Sequence, residues 1–156
     1  MNIAVVDLGF GDAGKGTITD FLVRRLGAAH VVRFNGGAQA GHNVVAPDGR
    51  HHTFAQFGSG SFVSGVETLL GPDFLLHPLG MAVEAEHLEA VGVGDIWSRT
   101  WVDAGARVIT PFQQATNRWK EQQRGPTAHG SCGVGVGECV ADALAHDDTI
   151  RAADLA

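Results

Sequence analysis

Apolar residues in this chain fall into short runs separated by glycine-rich or polar stretches. Ile3 to Leu8 is a short apolar run ending at Gly9 and predicts a buried strand. Beyond the glycines of 9–16, Ile18, Phe21, Leu22 and Leu26 recur at helical spacing, with Arg24 and Arg25 in the last turn and Gly27 as a stop. His30 to Phe34 predicts a second strand, followed by a loop from Asn35 to Asn43. His51 to Phe57 predicts another strand, and Glu67 to Leu70 and Phe74 to Leu76 are two further apolar runs. Leu79 to Val91 predicts a helix with Met81, Ala85, Leu88 and Val91 on one face and Gly92 at its end. Arg107 to Thr110 predicts a strand. Pro111 to Gln123 predicts a helix carrying Phe112, Ala115 and Trp119 at helical spacing. The stretch from Ala141 to Ala156 begins as helix. Strands alternating with helices imply an α/β fold: a mostly parallel sheet, flanking helices and a P-loop-like glycine loop after the first strand. No internal linker is visible, so residues 1–156 read as a single domain.

Composition narrows the function classes. The net charge is −6, which argues against a general nucleic-acid binder and leaves room for one anion held by local backbone groups. No apolar run reaches the ~18 residues of a membrane span, and Met1–Val5 lacks the basic start of a signal peptide. Cys132 and Cys139 form no disulfide framework and no zinc-ligand spacing, and the chain reads as cytoplasmic. His51 and His52 are adjacent and point to opposite faces of a strand. His77, His87 and His129 have no metal-ligand spacing either. Trp97, Trp101 and Trp119 are expected as core or interface anchors. Asp147-Asp148 is expected as a solvated turn. The 22 glycines are about twice the ordinary usage. They cluster at 9–16, 36–41, 58–65 and 130–137, where the backbone turns or something approaches it closely.

The first cluster is Gly9-Phe10-Gly11-Asp12-Ala13-Gly14-Lys15-Gly16-Thr17. Gly9, Gly14 and Lys15 fit G-x-x-x-x-G-K, but Gly16 stands where a standard P-loop has Ser or Thr. A glycine loop feeding a helix N-terminus turns several N–H groups toward an anion, and the helix dipole favours negative charge there. Lys15 adds a point charge for a phosphate. The missing hydroxyl at 16 removes the usual Mg²⁺ ligand, and the Asp12 carboxylate is a candidate replacement. The second cluster is Arg33-Phe34-Asn35-Gly36-Gly37-Ala38-Gln39-Ala40-Gly41-His42-Asn43, after the second strand. Loops at the carboxyl ends of parallel strands build ligand sites. A histidine there either moves a proton, contacts phosphate, or simply packs. The third, Gly130 to Gly137, reads equally as an anion nest or as a turn.

GDAGKG followed by VVRFNGGAQAGHNVV resembles the adenylosuccinate synthetase family, whose members show GDEGKGK and VVRYQGGxNAGHT. Leu75 to Glu89 resembles the family's strand and following helix. Arg124-Gly125 with Gly130 to Gly137 resembles its RG…GTTGRGIG segment. The resemblance covers nearly the whole chain and the first third of a family member. It implies a GTP-dependent ligase that joins L-aspartate to IMP in purine biosynthesis, phosphorylating the 6-oxygen before aspartate displaces the phosphate. Carried over, Asp12 is the general base at the purine N1 proton and a Mg²⁺ ligand, and His42 is the general acid near the transferred phosphate. Lys15 and the amides of Gly9, Gly11, Ala13, Gly14 and Gly16 hold phosphate, and the Gly41 carbonyl ligates Mg²⁺. Gln39, Ala40, Ser131 and Cys132 meet the nucleotide. The resemblance also implies a homodimer, with no nucleic-acid or membrane partner.

The chain departs from the family pattern at Ala13 for Glu, Gln39 for Asn, Ser131-Cys132 for Thr-Thr and Val134 for Arg. Asp142 to Asp148 stands where the family has an EDKxxRRG-like stretch. A thiol is a weaker donor than a hydroxyl, so the phosphate grip at Cys132 loosens. Two alternatives stand beside the ligase: a related ligase acting on a different purine nucleotide, and a non-catalytic nucleotide-binding module.

Overall fold

Strand β4 (Glu67–Leu76) organises the sheet. It pairs in parallel with β1 (His30–Gly37) along one edge and with β5 (Thr100–Val102) and β6 (Arg107–Val108) along the other. A separate antiparallel hairpin joins β2 (His42–Val45) to β3 (His51–Phe54). The helices are α1 (Lys15–Leu26), α2 (Pro78–Ala90), α3 (Pro111–Arg124) and α4 (Val136–Ala145). This computed structural model describes residues 1–9, 11, 13–146 and 148–155. The expectations for Asp12 and Asp147 lie outside the described residues.

The α/β architecture with a parallel sheet and flanking helices is as the periodicity predicts. The buried face of the sheet carries the main core. Leu70, Phe74 and Leu76 of β4 pack with Met81, Ala85 and Leu88 of α2 and with Phe54, Phe57 and Phe62. Val91, predicted on the same face of α2, packs against this cluster from just past the helix end, and Gly92 follows at φ +86°. On the opposite face Leu75 packs with Ile109 and Cys139, with Val134, Val136 and Val140 around them. Helix α3 opens with Thr110 and Gln113 as a reciprocal capping box and Pro111 in its first turn.

Several boundaries differ from expectation, each for an identifiable reason. The runs Glu67 to Leu70 and Phe74 to Leu76 are one strand, because an irregularity in register absorbs Gly71-Pro72. A Cβ at Gly71 would lie 3.0 Å from the Phe34 Cα, so the close approach of β1 needs glycine there. The strand from His51 stops at Phe54 rather than Phe57. The next amides leave the ladder: those of Ala55, Gln56 and Phe57 donate to the Glu84 carboxylate of α2 at 3.1, 2.6 and 3.3 Å. The predicted loop 35–43 gives its first residues to β1 and its last to β2. Helix α4 begins five residues before Ala141, at Val136, behind the left-handed Gly135.

The strand expected at Ile3 to Leu8 and the tryptophan core fail, whereas α1 and α3 form as expected but leave their apolar stripes exposed. Ile3 to Leu8 is not a strand, and Ile3, Val6 and Leu8 are exposed. A strand exists only through ladder partners, and local groups compete for this segment. The Asp7 carboxylate accepts the Gly9 amide at 2.7 Å and the Lys15 ammonium at 2.6 Å. The glycine loop therefore does not follow a first strand here. The stripe Ile18, Phe21 and Leu26 of α1 faces solvent, and the helix buries Gly16, Asp20 and Val23 instead. On α3, Phe112, Ala115 and Trp119 are likewise exposed and only Asn117 is buried. All three tryptophans are more than half exposed, so none is a core anchor.

Glu84 binds three amides of one turn and is buried, whereas Glu86 on the same helix is exposed. Removing a buried charge from its partners costs about 3 kcal/mol or more, and an exposed substitution stays within about 0.5 kcal/mol. Urea unfolding of Glu84→Ala and Glu86→Ala is expected to show that contrast. Equal midpoints would sink the assignment of the 55–57 turn to Glu84.

Candidate functional site

The site is assembled from the start of α1, the end of β1 and the first residue of β2. Gly14, the residue before α1, adopts φ +71°, a conformation open to glycine. No side chain caps this end, and the first turn holds no acid. The leading amides of α1 therefore remain available to an anion. Gly16 lies directly on His42: an added Cβ would sit 2.6 Å from the His42 Cβ and about 3 Å from its backbone. This is the physical reason for glycine where a P-loop has Ser or Thr. A side chain there would drive His42 off the helix. Thr17 completes the junction by donating its hydroxyl to the Asn43 carbonyl at 2.8 Å.

His42 is half-buried between α1 and the Arg33 side chain, whose Nη2 lies 3.5 Å from His42 Nε2. Burial, then the positive charges of Arg33 and Lys15, push the imidazole pKa down, while Glu84 opposes them. Arg33 itself donates to the Ala55 carbonyl at 2.6 Å and lies 4.9 Å from the centroid of the Phe74 ring. Burial lowers its pKa to about 10, with Glu84 acting in the opposite sense, so it stays charged at neutral pH. Arg33 and Glu84 thus sit on either side of one turn. The turn's amides face the carboxylate, and its Ala55 carbonyl faces the guanidinium.

Lys15, expected on phosphate, is paired with Asp7 at 2.6 Å. The hydrogen bond from Lys15, then the Gly9 amide, hold the Asp7 carboxyl below the usual carboxylate range. Gly9, Gly11 and Ala13 are exposed around this pair. Gln39 and Gly41 are exposed on the turn between β1 and β2. Ala40 is half-buried there, its amide bonded to the Gly37 carbonyl at 3.1 Å. The structure therefore brings together Lys15, Gly16, Gly41 and His42.

Ser131 and Cys132 stand apart, against α3. The Ser131 hydroxyl accepts from Asn117 at 3.3 Å, and the amides of Gly130 and Ser131 donate to Glu121 Oε1 at 2.6 and 3.4 Å. Both residues line an open cavity with Arg118, Glu121, Gln122 and Gly133. The carboxylate of Glu121 shows that this glycine stretch can act as an anion nest. Burial works against that carboxylate's charge, but Arg124 and the two amides hold its pKa below the usual range. No hydrogen bond or ion pair among the described residues joins this stretch to Lys15 or His42. Arg33, Glu84, Asp7 and Glu121 were not singled out in the sequence. The one available signal was an arginine inside the apolar run His30 to Phe34.

Among family models, that of adenylosuccinate synthetase matches residues 4–156. The adenylosuccinate synthetase of Mycobacterium leprae is 36% identical over 154 residues, covering 97% of this chain and 34% of the relative. That of Neisseria gonorrhoeae is 33% identical, covering 99% of this chain and 35% of the relative. This chain thus spans about a third of the length of these curated relatives. The fully ligated adenylosuccinate synthetase of Plasmodium falciparum matches with a TM-score of 0.80 at 25% identity, over 93% of this chain and 33% of that one. The succinoaminodeoxyadenylate synthetase of cyanophage S-2L, bound to dGMP and to dATP as an energy donor, has the same fold. It matches at a TM-score of 0.72 and 21% identity, over 96% of this chain and 40% of that one.

The packing of Gly16 on His42 is directly testable. Overpacking of this kind costs about 1–3 kcal/mol, so Gly16→Ala is expected to lower the thermal midpoint and shift the β2 amide resonances. Thr17→Ala removes one exposed hydrogen bond, worth about 1 kcal/mol, and is expected to cost less. A silent Gly16→Ala would mean that α1 and β2 do not touch.

Proposed function

Because this chain belongs to the adenylosuccinate synthetase family, we propose that it is the phosphate-handling part of a GTP-dependent ligase of that type. The proposed reaction joins L-aspartate to IMP and forms a C–N bond in purine nucleotide biosynthesis. The single observation that carries this reading is the seating of Gly16 on His42. It holds a candidate acid–base group beside the uncapped start of α1 and Lys15. Transfer of a phosphoryl group needs positive groups arranged in advance, and these are such groups.

The proposed roles follow the resemblance residue by residue. The start of α1 and Lys15 receive phosphate, with Lys15 exchanging its Asp7 partner for the more highly charged anion. His42 acts as general acid near the transferred phosphoryl. The negative charge of that group opposes the positive neighbours of the ring, in the sense that Glu84 already does. Arg33 fixes the ring from the side away from Gly16. Asp12 is the proposed base at the purine N1 proton. Once the 6-oxygen is phosphorylated, phosphate leaves as the aspartate amine attacks.

Family members use Mg²⁺. Among the described residues no group of three His, Cys, Asp or Glu side chains gathers to cage a metal. The donors that the resemblance assigns are the Gly41 carbonyl and the Asp12 carboxylate. That set fits a magnesium ion carried mainly by nucleotide phosphate oxygens and water. Bound there, the ion would neutralise charge on the phosphates. A cytoplasmic homodimer is part of the same reading, and no helix among the described residues is long and apolar enough to cross a membrane.

A second reading keeps the chemistry and changes the acceptor. Its support is the third glycine stretch, where Glu121 already occupies the Gly130 and Ser131 amides and Val134 replaces an arginine. The cyanophage relative, with its dGMP and dATP, is a case of the fold accepting other purine nucleotides.

Calorimetric titration with GTP and with IMP, each with Mg²⁺, tests the phosphate site. Lys15→Ala is expected to weaken GTP binding at least about tenfold, the equivalent of ~1.4 kcal/mol. A Lys15→Ala chain that binds GTP as well as the parent would remove the start of α1 from the nucleotide site. Stronger binding of dGMP than of IMP would favour the second reading.

A further inference from the structure

Two of the glycine stretches already hold a carboxylate of this chain. In the stretch at 130–137, Glu121 accepts the Gly130 and Ser131 amides, and Arg124 is its counter-ion at 2.8 Å. In the stretch at 9–16 the carboxylate comes from Asp7. Its Oδ1 accepts the Gly9 amide at 2.7 Å, and its Oδ2 accepts the Lys15 ammonium at 2.6 Å. Each oxygen thus sits on a donor that the proposed reaction assigns to phosphate. Asp7 is the more enclosed partner of the ion pair, its side chain 14% exposed against 35% for Lys15. The pair closes a loop whose Gly11 and Gly14 take left-handed φ of +90° and +71°. The core does not depend on this contact: Ile3, Val6 and Leu8 around Asp7 are exposed, and residues 1–9 join no strand or helix. The leading amides of α1, by contrast, carry no side-chain cap. An anion arriving at α1 therefore finds the amides open and the lysine taken.

We infer that Asp7 is an internal competitor of phosphate, holding Lys15 and the Gly9 amide in the free chain until a multiply charged phosphoryl group displaces it. The inference rests on the reading that the start of α1 and Lys15 receive phosphate. Tethered eight residues from Lys15, Asp7 meets the ammonium at a high effective concentration. A free carboxylate or other singly charged anion offers the ammonium no more than Asp7 does, so it leaves the pair closed. A phosphoryl group with two or more charges makes stronger charge-assisted bonds, and the open amides of α1 favour it further. Apparent affinity falls in proportion to the fraction of chains whose pair is open. Asp7 therefore weakens every ligand of this loop, and the charged part of that effect runs through Lys15.

Asp7→Asn is the informative change, because asparagine keeps an acceptor for the Gly9 amide and removes the charge that holds Lys15. The parent chain, Asp7→Asn, Lys15→Ala and the double variant are titrated calorimetrically with GTP and Mg²⁺. Asp7→Asn is expected to tighten GTP binding about fivefold or more. In the Lys15→Ala background the same change is expected to alter binding less than about twofold, since no ammonium is left to release. Asp48→Asn removes a carboxylate paired in the same way with Arg50 between β2 and β3, and is expected to leave binding unchanged. In the parent, millimolar formate is expected to leave the Gly9 amide resonance in place, and GTP to move it. Unchanged or weaker GTP binding by Asp7→Asn, with Lys15→Ala still weakening it, would overturn the inference and leave the phosphate reading standing. Equal tightening with and without Lys15 would overturn it in favour of plain charge repulsion. Absence of GTP binding by both the parent and Asp7→Asn would remove the phosphate reading, and the competitor with it.

Discussion

Two opposite charges, the buried Glu84 and the partly buried Arg33, hold the turn at Ala55 to Phe57 between them. Neither side chain belongs in an apolar interior alone, since an unpaired buried charge is costly. Each is satisfied through the peptide groups of the turn, amides toward Glu84 and the Ala55 carbonyl toward Arg33. That arrangement ends β3, ties α2 to β1 and places the guanidinium beside His42. The main hydrophobic cluster is built around it: Phe74 lies under Arg33, and Phe54 and Phe57 flank the turn.

The site inherits its geometry from this frame. His42 has Arg33 on one side and α1 on the other, and the second contact is close enough to require that residue 16 have no side chain. The loss of the P-loop hydroxyl at that position is then a consequence of bringing an imidazole to the head of the helix. Positive charge accumulates there from Lys15, Arg33 and the uncapped amides of α1, with Asp7 as a local counter-charge. The third glycine stretch has its own internal anion in Glu121, and it is supported by α3 rather than by the hairpin that carries His42.

How much of this was legible depends on the range of the interaction. Helix α2 was readable because its buried residues repeat at helical spacing and its partners face that one stripe. The start of α1 was readable because glycine at a left-handed position, here Gly14, leaves a mark in the sequence, and the Gly41-His42 pair was readable from its resemblance to the family motif. The stripes of α1 and α3 were equally clear but misleading about burial. Periodicity reports which face is apolar, not whether this chain supplies what covers it. Ile3 to Leu8 failed for the same reason, since an apolar run becomes a strand only beside another strand.

The sequence by itself therefore determined the α/β class, most of its helices, the glycine positions and the candidate phosphate chemistry at Lys15 and His42. These rest on local backbone preference and on residue type, which a linear chain displays. Tertiary structure alone decided that Gly16 touches His42 and that Arg33 and Glu84 share one turn. Each of those joins residues distant along the chain, and their meeting depends on which surfaces the whole fold buries.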